Sequence, residues 1–192
     1  MFEATRSLLA RIKPPLERSS SNTRPVVLML CGIAGSGKST LAKAVVEELR
    51  QFTRLSIDEI LFEKHGLFGV DYPADHNLYE QYQDEADQIY LEHFHRFLQA
   101  DKDLVLDRSF YAKQDRDEFK KVIEDEGGRW VLVYLKADEK DFLWRRICER
   151  SAKDRDANSA LDISRELLES YWTGFEEPKG EGEVVLQIQV DA

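Results

Sequence analysis

A glycine-rich stretch, "LCGIAGSGKSTLAKAV" at residues 30–45, constrains the fold of this chain more than any other feature. It continues the apolar run "VVLML" at 26–30 and leads into a segment with helical periodicity at 40–50. Glycine is entropically costly to order, so three glycines within six positions indicate a backbone that side chains would obstruct. The stretch therefore predicts a buried strand, a tight loop and a helix in that order.

The residues from Gly32 to Ser39 fit the pattern G-x-x-x-x-G-K-[ST], in which backbone N–H groups surround a phosphate chain. The amino-terminal end of the following helix adds positive potential. Lys38 is expected to reach the β- and γ-phosphates and to act in catalysis, and Ser39 to ligate Mg²⁺. The predicted cofactors are ATP and Mg²⁺, with GTP the less favoured nucleotide. A plain strand-to-helix turn is the alternative, but it does not require the Gly-Lys-Ser ending. The residues expected to contact the nucleotide here are Gly32, Ala34, Gly35, Ser36, Gly37, Lys38, Ser39 and Thr40.

Strands and helices alternate along the rest of the chain. Further strands are predicted at 53–57, 103–106, 130–135 and 184–190, and further helices at 77–99, 116–127, 138–150 and 162–175. Strands separated by helices pair in parallel through right-handed crossovers. The pattern therefore predicts an α/β fold, a three-layer αβα sandwich around a parallel sheet of about five strands.

The amino-terminal segment differs from this alternation. Residues 1–24 carry five basic side chains and the serine-rich stretch "ERSSSNTRP". We expect a short amphipathic helix over residues 2–12, stopped by Pro14-Pro15, and then a flexible link. The predicted domain is 25–192, preceded by the helix and linker at 1–24.

Composition and charge narrow the function classes. No apolar run in the 192 residues approaches the ~20 needed to cross a bilayer, so no membrane association is expected. The formal net charge of −10 disfavours a nucleic-acid partner, although a local basic groove stays open. Cys31 and Cys148 lack metal-ligand spacing and are interpreted as two buried thiols of a cytoplasmic protein.

Two acidic residues follow predicted strands, where ligands bind in sheets of this kind. Asp58, in "LSIDEI", is predicted to be the catalytic base that accepts a proton from a substrate hydroxyl. Asp107 ends the strand "LVL" and is predicted to hold Mg²⁺ through water. Asp58 could instead hold a water on Mg²⁺ or cap a helix, and a cap or a turn is the alternative for Asp107.

Arginines are concentrated on one predicted helix, in "WRRICER". Arg146 and Arg150 are four residues apart and share a face, and Arg145 lies beside them. Cations on a closing lid stabilise the charge of a transferring phosphoryl group, which predicts a catalytic role for Arg146. Pairing with nearby surface acids is the alternative. Arg116 has two open interpretations, binding of a substrate phosphate or pairing with a neighbouring acid.

The segment "HGLFGVDYPADHNLY" at 65–79 joins the second strand to the long helix. Its aromatic and acidic character suits the border of a pocket for a polar, small acceptor molecule. Plain packing is the alternative.

The chain resembles the small P-loop kinases that include zeta toxins, chloramphenicol phosphotransferase and the kinase domain of polynucleotide kinase. It more closely resembles the "AAA family ATPase" or ATP-binding proteins of that superfamily. The matching pieces are "GIAGSGKSTLA", "LSIDEI", "LVLDRSF", "WVLVYLKADEKDFLWRRICER" and "ELLESYWTGFEEPKGEGE".

This resemblance implies the strand order 2-3-1-4-5 and a helical lid. It implies that Asp58 matches the acid that activates the acceptor hydroxyl. It also implies that Arg146, Arg150 and Arg155 belong to the lid and the nucleotide site. The acceptor does not transfer, because acceptors differ widely within the superfamily.

Three functions are compatible with these residues. The first is a Mg²⁺-dependent kinase that transfers the γ-phosphate of ATP to a hydroxyl of a small-molecule acceptor, with ATPase activity beside it left open. The second is a nucleotide or polynucleotide-end kinase. The third is a non-catalytic ATP-binding switch.

Overall fold

The computed structural model describes residues 3–152, 157 and 163–188 of the chain. Five strands pair in parallel in the order β2-β3-β1-β4-β5, as predicted. Every residue of β1 and β3 is buried, because helices cover both faces of the sheet. The central position of β1 places the glycine-rich loop in the middle of the sheet's carboxyl edge. The strands are β1 (Val26–Cys31), β2 (Phe52–Ser56), β3 (Asp103–Asp107), β4 (Arg129–Ala137) and β5 (Val184–Ile188).

Two apolar clusters confirm the predicted three-layer sandwich. Alternate residues of β1 face opposite sides, so that Leu28 belongs to one cluster and Met29 to the other. The first cluster joins the sheet to α1, α2, α6 and α7, and the second joins it to α4 and α5. The helices are α1 (Glu3–Leu16), α2 (Lys38–Glu48), α3 (Ile57–His65), α4 (His76–Gln99), α5 (Lys113–Asp125), α6 (Lys140–Ser151) and α7 (Arg165–Gly174).

The first helix is longer than its sequence predicts, because α1 continues through Pro14 and Pro15 to Leu16. The two prolines lie in the last turn, and their missing N–H groups remove the intrahelical donors only for the carbonyls of Ala10 and Arg11. Leu16 is fully buried in the first apolar cluster, which favours the extra turn. The Arg129 guanidinium donates to the carbonyl of Pro15 and completes the end of the helix.

The second difference is α3, a helix that the periodicity did not predict. The strand ends at Ser56, whose hydroxyl accepts a hydrogen bond from the N–H of Glu59. The spacing Ser-x-x-Glu is a capping-box signal that marks this start in the sequence. Because Ser56 is the cap, the alternative in which Asp58 caps the helix is wrong. Asp58 lies in the first turn, near the positive end of the helix.

Arg116 is fully buried and serves the fold. Its guanidinium makes a bidentate ion pair with Glu181 and also donates to the carbonyl of Phe110. Lys120 donates to the same carboxylate. The predicted pairing with an adjacent acid is therefore wrong, and a buried guanidinium engaged in this way does not face a substrate.

The interpretation of two buried thiols is confirmed for Cys31 and is wrong for Cys148. Cys31 is buried, and burial raises the pKa of its thiol to about 12. Cys148 is exposed on α6. Within the described residues, no helix combines the length and the apolar character needed for a membrane crossing.

Candidate active site

The glycine-rich loop joins β1 to α2 in a conformation that requires glycine at two positions. Gly37 caps α2 with φ 99° and Gly35 has φ 83°, both in the left-handed region. A Cβ on Gly35 would lie 2.9 Å from the carbonyl oxygen of Leu143, so the loop packs directly on α6. A Cβ on Gly37 would lie 3.2 Å from an Arg146 guanidinium nitrogen. The loop therefore leads directly into the start of α2, where the first N–H groups have no partner within the helix and favour an anion.

Lys38 is the first residue of α2 and its ammonium group lies over the loop. It donates to the carbonyl oxygens of Gly32 at 2.7 Å and Ile33 at 3.1 Å. Burial lowers the pKa of Lys38, and the nearby carboxylates of Asp107 and Asp58 oppose that shift. These two hydrogen bonds hold the ammonium over the loop.

Asp107 ends β3 and anchors a polar network beside the loop. One carboxylate oxygen accepts a hydrogen bond from the Ser39 hydroxyl at 3.2 Å, and the other accepts from two nitrogens of Arg54 at 2.7 and 3.0 Å. Arg54 also donates to Glu59 at 2.7 Å. The side chains of Arg54 and Asp107 are only 7% and 3% exposed, so the pair fixes the orientation of the carboxylate.

Asp58 lines the cleft, and its side chain is exposed to the cavity. Enclosure by the protein raises the pKa of Asp58, and the negative charge of Asp107 adds to the rise. Lys38 and Arg150 lower it in part. A carboxylate with a raised pKa is a better proton acceptor, which suits a general base.

Two phenols lie near Asp58. Burial raises the pKa of Tyr79 on α4 and of Tyr171 on α7, and the charge of Asp58 contributes to both shifts. Both side chains therefore stay protonated and can donate hydrogen bonds to a ligand.

The predicted arginines of α6 face the same space. Arg145, Arg146 and Arg150 line the cleft, and an Arg146 guanidinium nitrogen lies 3.4 Å from the carbonyl oxygen of Ser36 in the glycine-rich loop. The Arg146 guanidinium also sits over the ring of Phe142, 5.5 Å from its centroid. Arg155 and the part of the predicted lid at 153–156 and 158–162 lie outside the described residues.

The cleft is a continuous cavity of about 1670 Å³ along the carboxyl edge of the sheet. One half adjoins β2, β3 and α4, where Asp58 and Asp107 lie. The other half adjoins β4, β5, α6 and α1. The glycine-rich loop, following the central strand, separates the two halves.

The structure brings together the loop residues, Asp58, Asp107, Arg146 and Arg150, all of which line this cavity except Gly32. Gly32 lies behind the lining, where its N–H donates to the carbonyl of Ser109. Sequence reasoning missed Arg54 and Tyr171, whereas Tyr79 is the last residue of the segment 65–79 predicted to border the pocket. A signal for Arg54 existed, because a cation in a strand covered on both faces needs a buried partner.

Ser39 and Asp107 fit a Mg²⁺ ion. In proteins Mg²⁺ keeps several waters and takes one or two protein oxygens together with substrate phosphates. A hydroxyl and a carboxylate 3.2 Å apart beside a phosphate-binding loop provide that donor set. No cluster of three or more acidic, histidine or cysteine side chains suited to a metal occurs among the described residues.

Known families and solved structures include proteins that are similar to this chain. A family model described as an AAA domain matches residues 27–178. No curated protein sequence matched the chain.

Solved structures share the fold at low identity. A candidate kinase from Chloroflexus aurantiacus J-10-fl is similar with a TM-score of 0.66 and 22% identity, over 86% of this chain and 88% of that one. The Mycobacterium tuberculosis APS kinase CysC, solved with AMPPNP and APS, has a TM-score of 0.53 and 15% identity, over 85% and 88%. A chain of the Pnkp1/Rnl/Hen1 RNA repair complex has a TM-score of 0.56 and 16% identity, over 80% of this chain but 47% of that one. At these identities, the likeness shows the fold.

Proposed function

This chain belongs to the AAA-domain family that matches its residues 27–178, and we propose that it is an ATP- and Mg²⁺-dependent kinase for a hydroxyl of a small molecule. The observation that carries the proposal is the position of Asp58. Its carboxylate, with a raised pKa, opens into the cleft beside Lys38 of the glycine-rich loop and the Asp107 network. A nucleotide switch would need no proton acceptor at this place.

The triphosphate would lie along the loop and the start of α2. Lys38 would exchange the carbonyls of Gly32 and Ile33 for β- and γ-phosphate oxygens. Arg146 and Arg150, which line the cleft, would neutralise charge on the transferring group, and we extend this role to Arg155. Ser39 and Asp107 would hold Mg²⁺, which supplies charge neutralisation to the phosphates.

Asp58 would accept the proton of the acceptor hydroxyl. The freed oxygen forms a bond to the γ-phosphorus, the bond to the β–γ bridging oxygen breaks, and ADP leaves with that electron pair. The raised pKa of Asp58 favours this proton transfer. The phenols of Tyr79 and Tyr171 would donate hydrogen bonds that orient the acceptor.

The lining of the Asp58 half favours a neutral or cationic acceptor. Arg108 lies on this wall, but its charge is paired with Asp87 at 2.8 Å. Asp84 adds a further carboxylate to the lining. An acceptor rich in phosphates would meet mostly negative charge here, so small polyhydroxy or amino-alcohol compounds fit better than a polynucleotide.

The test is transfer of labelled γ-phosphate from ATP to pools of small metabolites, nucleotides and short oligonucleotides. Asp58→Asn is expected to keep ATP binding and lose transfer by about 10²- to 10⁴-fold. Lys38→Ala is expected to lose both. Asp117→Asn is the matched control, because Asp117 lies on the exposed face of α5 and pairs with Lys113.

Labelling in the small-molecule pool that disappears in Asp58→Asn supports the proposal. Unchanged transfer in that variant would exclude Asp58 as the base. Labelling confined to oligonucleotides would replace the small-molecule acceptor with a polynucleotide end.

A further inference from the structure

The first helix lies outside the segment that matches the family model, yet it borders the cleft. The model begins at residue 27, whereas α1 ends at Leu16. Five residues of α1 nevertheless line the cavity that holds the glycine-rich loop, namely Ala4, Thr5, Ser7, Leu8 and Arg11.

Helical spacing separates two neighbouring faces of α1. Leu9, Ile12 and Leu16 are buried in the apolar cluster beneath the sheet. Ala4, Leu8 and Arg11 follow the spacing i, i+4, i+7, so they form a second stripe along the cleft. One face of α1 therefore packs in the apolar core, and the other face borders the cavity.

Contacts on both sides hold α1 in this position. The Arg11 guanidinium donates to the carbonyl of Val185 on β5 at 3.2 Å. Lys13 forms an ion pair with Glu48 on α2 at 2.9 Å. These two contacts therefore fix α1 against the edge strand β5 and against α2.

The strand order indicates which part of a bound nucleotide would contact the cavity-lining face of α1. Asp58 and Asp107 follow β2 and β3, on one side of the loop, and there the γ-phosphate must reach its acceptor. A triphosphate bound along the loop with its γ end on that side extends its nucleoside to the other side, toward β4 and β5. In that half, Phe142, Ile163 and Ile188 line the cavity together with α1, and this apolar lining suits a base.

We infer that α1 forms one wall of the nucleoside subsite and contacts the base or ribose of the bound nucleotide. This inference rests on the proposed function for its ligand, a nucleoside triphosphate. The family segment thus supplies the phosphate site, and the preceding helix completes the subsite for the rest of the nucleotide.

The test introduces the same bulky side chain on two faces of α1. Ala4 and Ala10 are both exposed, but only Ala4 lines the cleft. In the full chain, Ala4→Trp is expected to weaken ATP binding about 10-fold, because the added ring would occupy space in the nucleoside subsite. Ala10→Trp is expected to leave ATP binding unchanged. Binding of tripolyphosphate, which lacks a nucleoside, should be unchanged in both variants.

The unfolding midpoint of each variant is measured first, and Ala4→Gln replaces Ala4→Trp if the ring lowers it. A change in ATP affinity at position 4 alone, in either direction, with tripolyphosphate unaffected, supports the inference. No change, or an equal change for both probes, would overturn it. Transfer that fails while ATP still binds would overturn the proposed function and leave this inference standing, whereas a parent chain that binds neither probe overturns both.

Discussion

Two arginine–carboxylate pairs with almost fully buried side chains differ in what surrounds them. Arg54 binds Asp107 through two nitrogens, and Arg116 binds Glu181 through two nitrogens. The four side chains are between 0% and 7% exposed. Neither the residue types nor their burial separates the two pairs.

Their neighbours do separate them. The Arg116 pair is completed by Lys120 and the carbonyl of Phe110, so its polar groups are satisfied within the protein. The Asp107 pair lies at the floor of the cleft, and its carboxylate also accepts from Ser39 at the start of α2. A buried ion pair is thus weak evidence for a site, and its connection to an open cavity decides its role.

The electrostatics of the two regions also run in opposite directions. Hydrogen bonds from Arg116 hold the pKa of Glu181 below its ordinary value. Burial raises the pKa of Asp58. The first carboxylate stabilises the folded chain when ionised, whereas the second destabilises it, as expected where function is favoured over stability.

The largest effect on folding is expected from Arg116→Met. Removal of the guanidinium leaves Glu181 buried without its main partner, which costs about 3–5 kcal/mol of the free energy of unfolding. Chemical denaturation measures this loss. Phosphotransfer per folded molecule, assayed at low temperature, is expected to match the parent.

The double variant Arg116→Met with Glu181→Leu is the control. Replacing both charges by apolar side chains is expected to restore part of the lost stability, because Lys120 loses the carboxylate but keeps its hydrogen bond to the backbone carbonyl of residue 181. If the double variant is as unstable as the single one, an unpaired Glu181 carboxylate is not the cause of the lost stability.

A smaller effect, and one on activity, is expected from Arg54→Gln. Asp107 would lose the contact that orients it, and loss of such a supporting contact typically lowers metal affinity or activity about 10- to 100-fold. The Mg²⁺ concentration for half-maximal transfer should rise, while ATP binding without Mg²⁺ changes little. Arg116→Met, with normal Mg²⁺ dependence, is the matched comparison. An unaltered Mg²⁺ dependence in Arg54→Gln would remove Arg54 from the proposed site.

The smallest effect is a change in stability with pH. Because the folded-state pKa of Asp58 is raised, its ionised form destabilises the chain above that pKa, and the penalty disappears as pH falls through it. Asp58→Asn is therefore expected to raise the unfolding midpoint at neutral pH, with an advantage that shrinks on acidification.

The opposite sign is expected for Glu181→Gln. The folded-state pKa of Glu181 is lowered, so its contribution is present above the unfolded value of 4.5 and is lost as pH falls through the lowered pKa. Thermal unfolding of both variants between acid and neutral pH measures the two trends. Equal trends would show that the two regions share one electrostatic environment.

Local patterns in the sequence were sufficient for the sheet and the phosphate loop. The buried strands, the pattern from Gly32 to Ser39 and the acids after two strands are all readable from neighbouring residues. The strand order came from resemblance. The capping box from Ser56 to Glu59 is equally local, so the start of α3 could have been predicted from the sequence.

The partners of charged residues needed the tertiary structure. Arg116 pairs with Glu181, which is 65 positions away, and Arg54 pairs with Asp107, which is 53 positions away. No local pattern specifies such pairs, because they depend on which strands and loops the fold places side by side. The same holds for α1, whose sequence shows an amphipathic helix but not that one of its faces lines the cleft.

The sequence by itself therefore determined the element types and the phosphate-binding loop, because backbone conformation and hydrophobic period are short-range properties. Only the tertiary structure decided that Arg54 pairs with Asp107 beside the cleft, that Arg116 pairs with Glu181 and that α1 lines the cavity. Those roles arise from distance and burial in space, which separation along the chain does not encode.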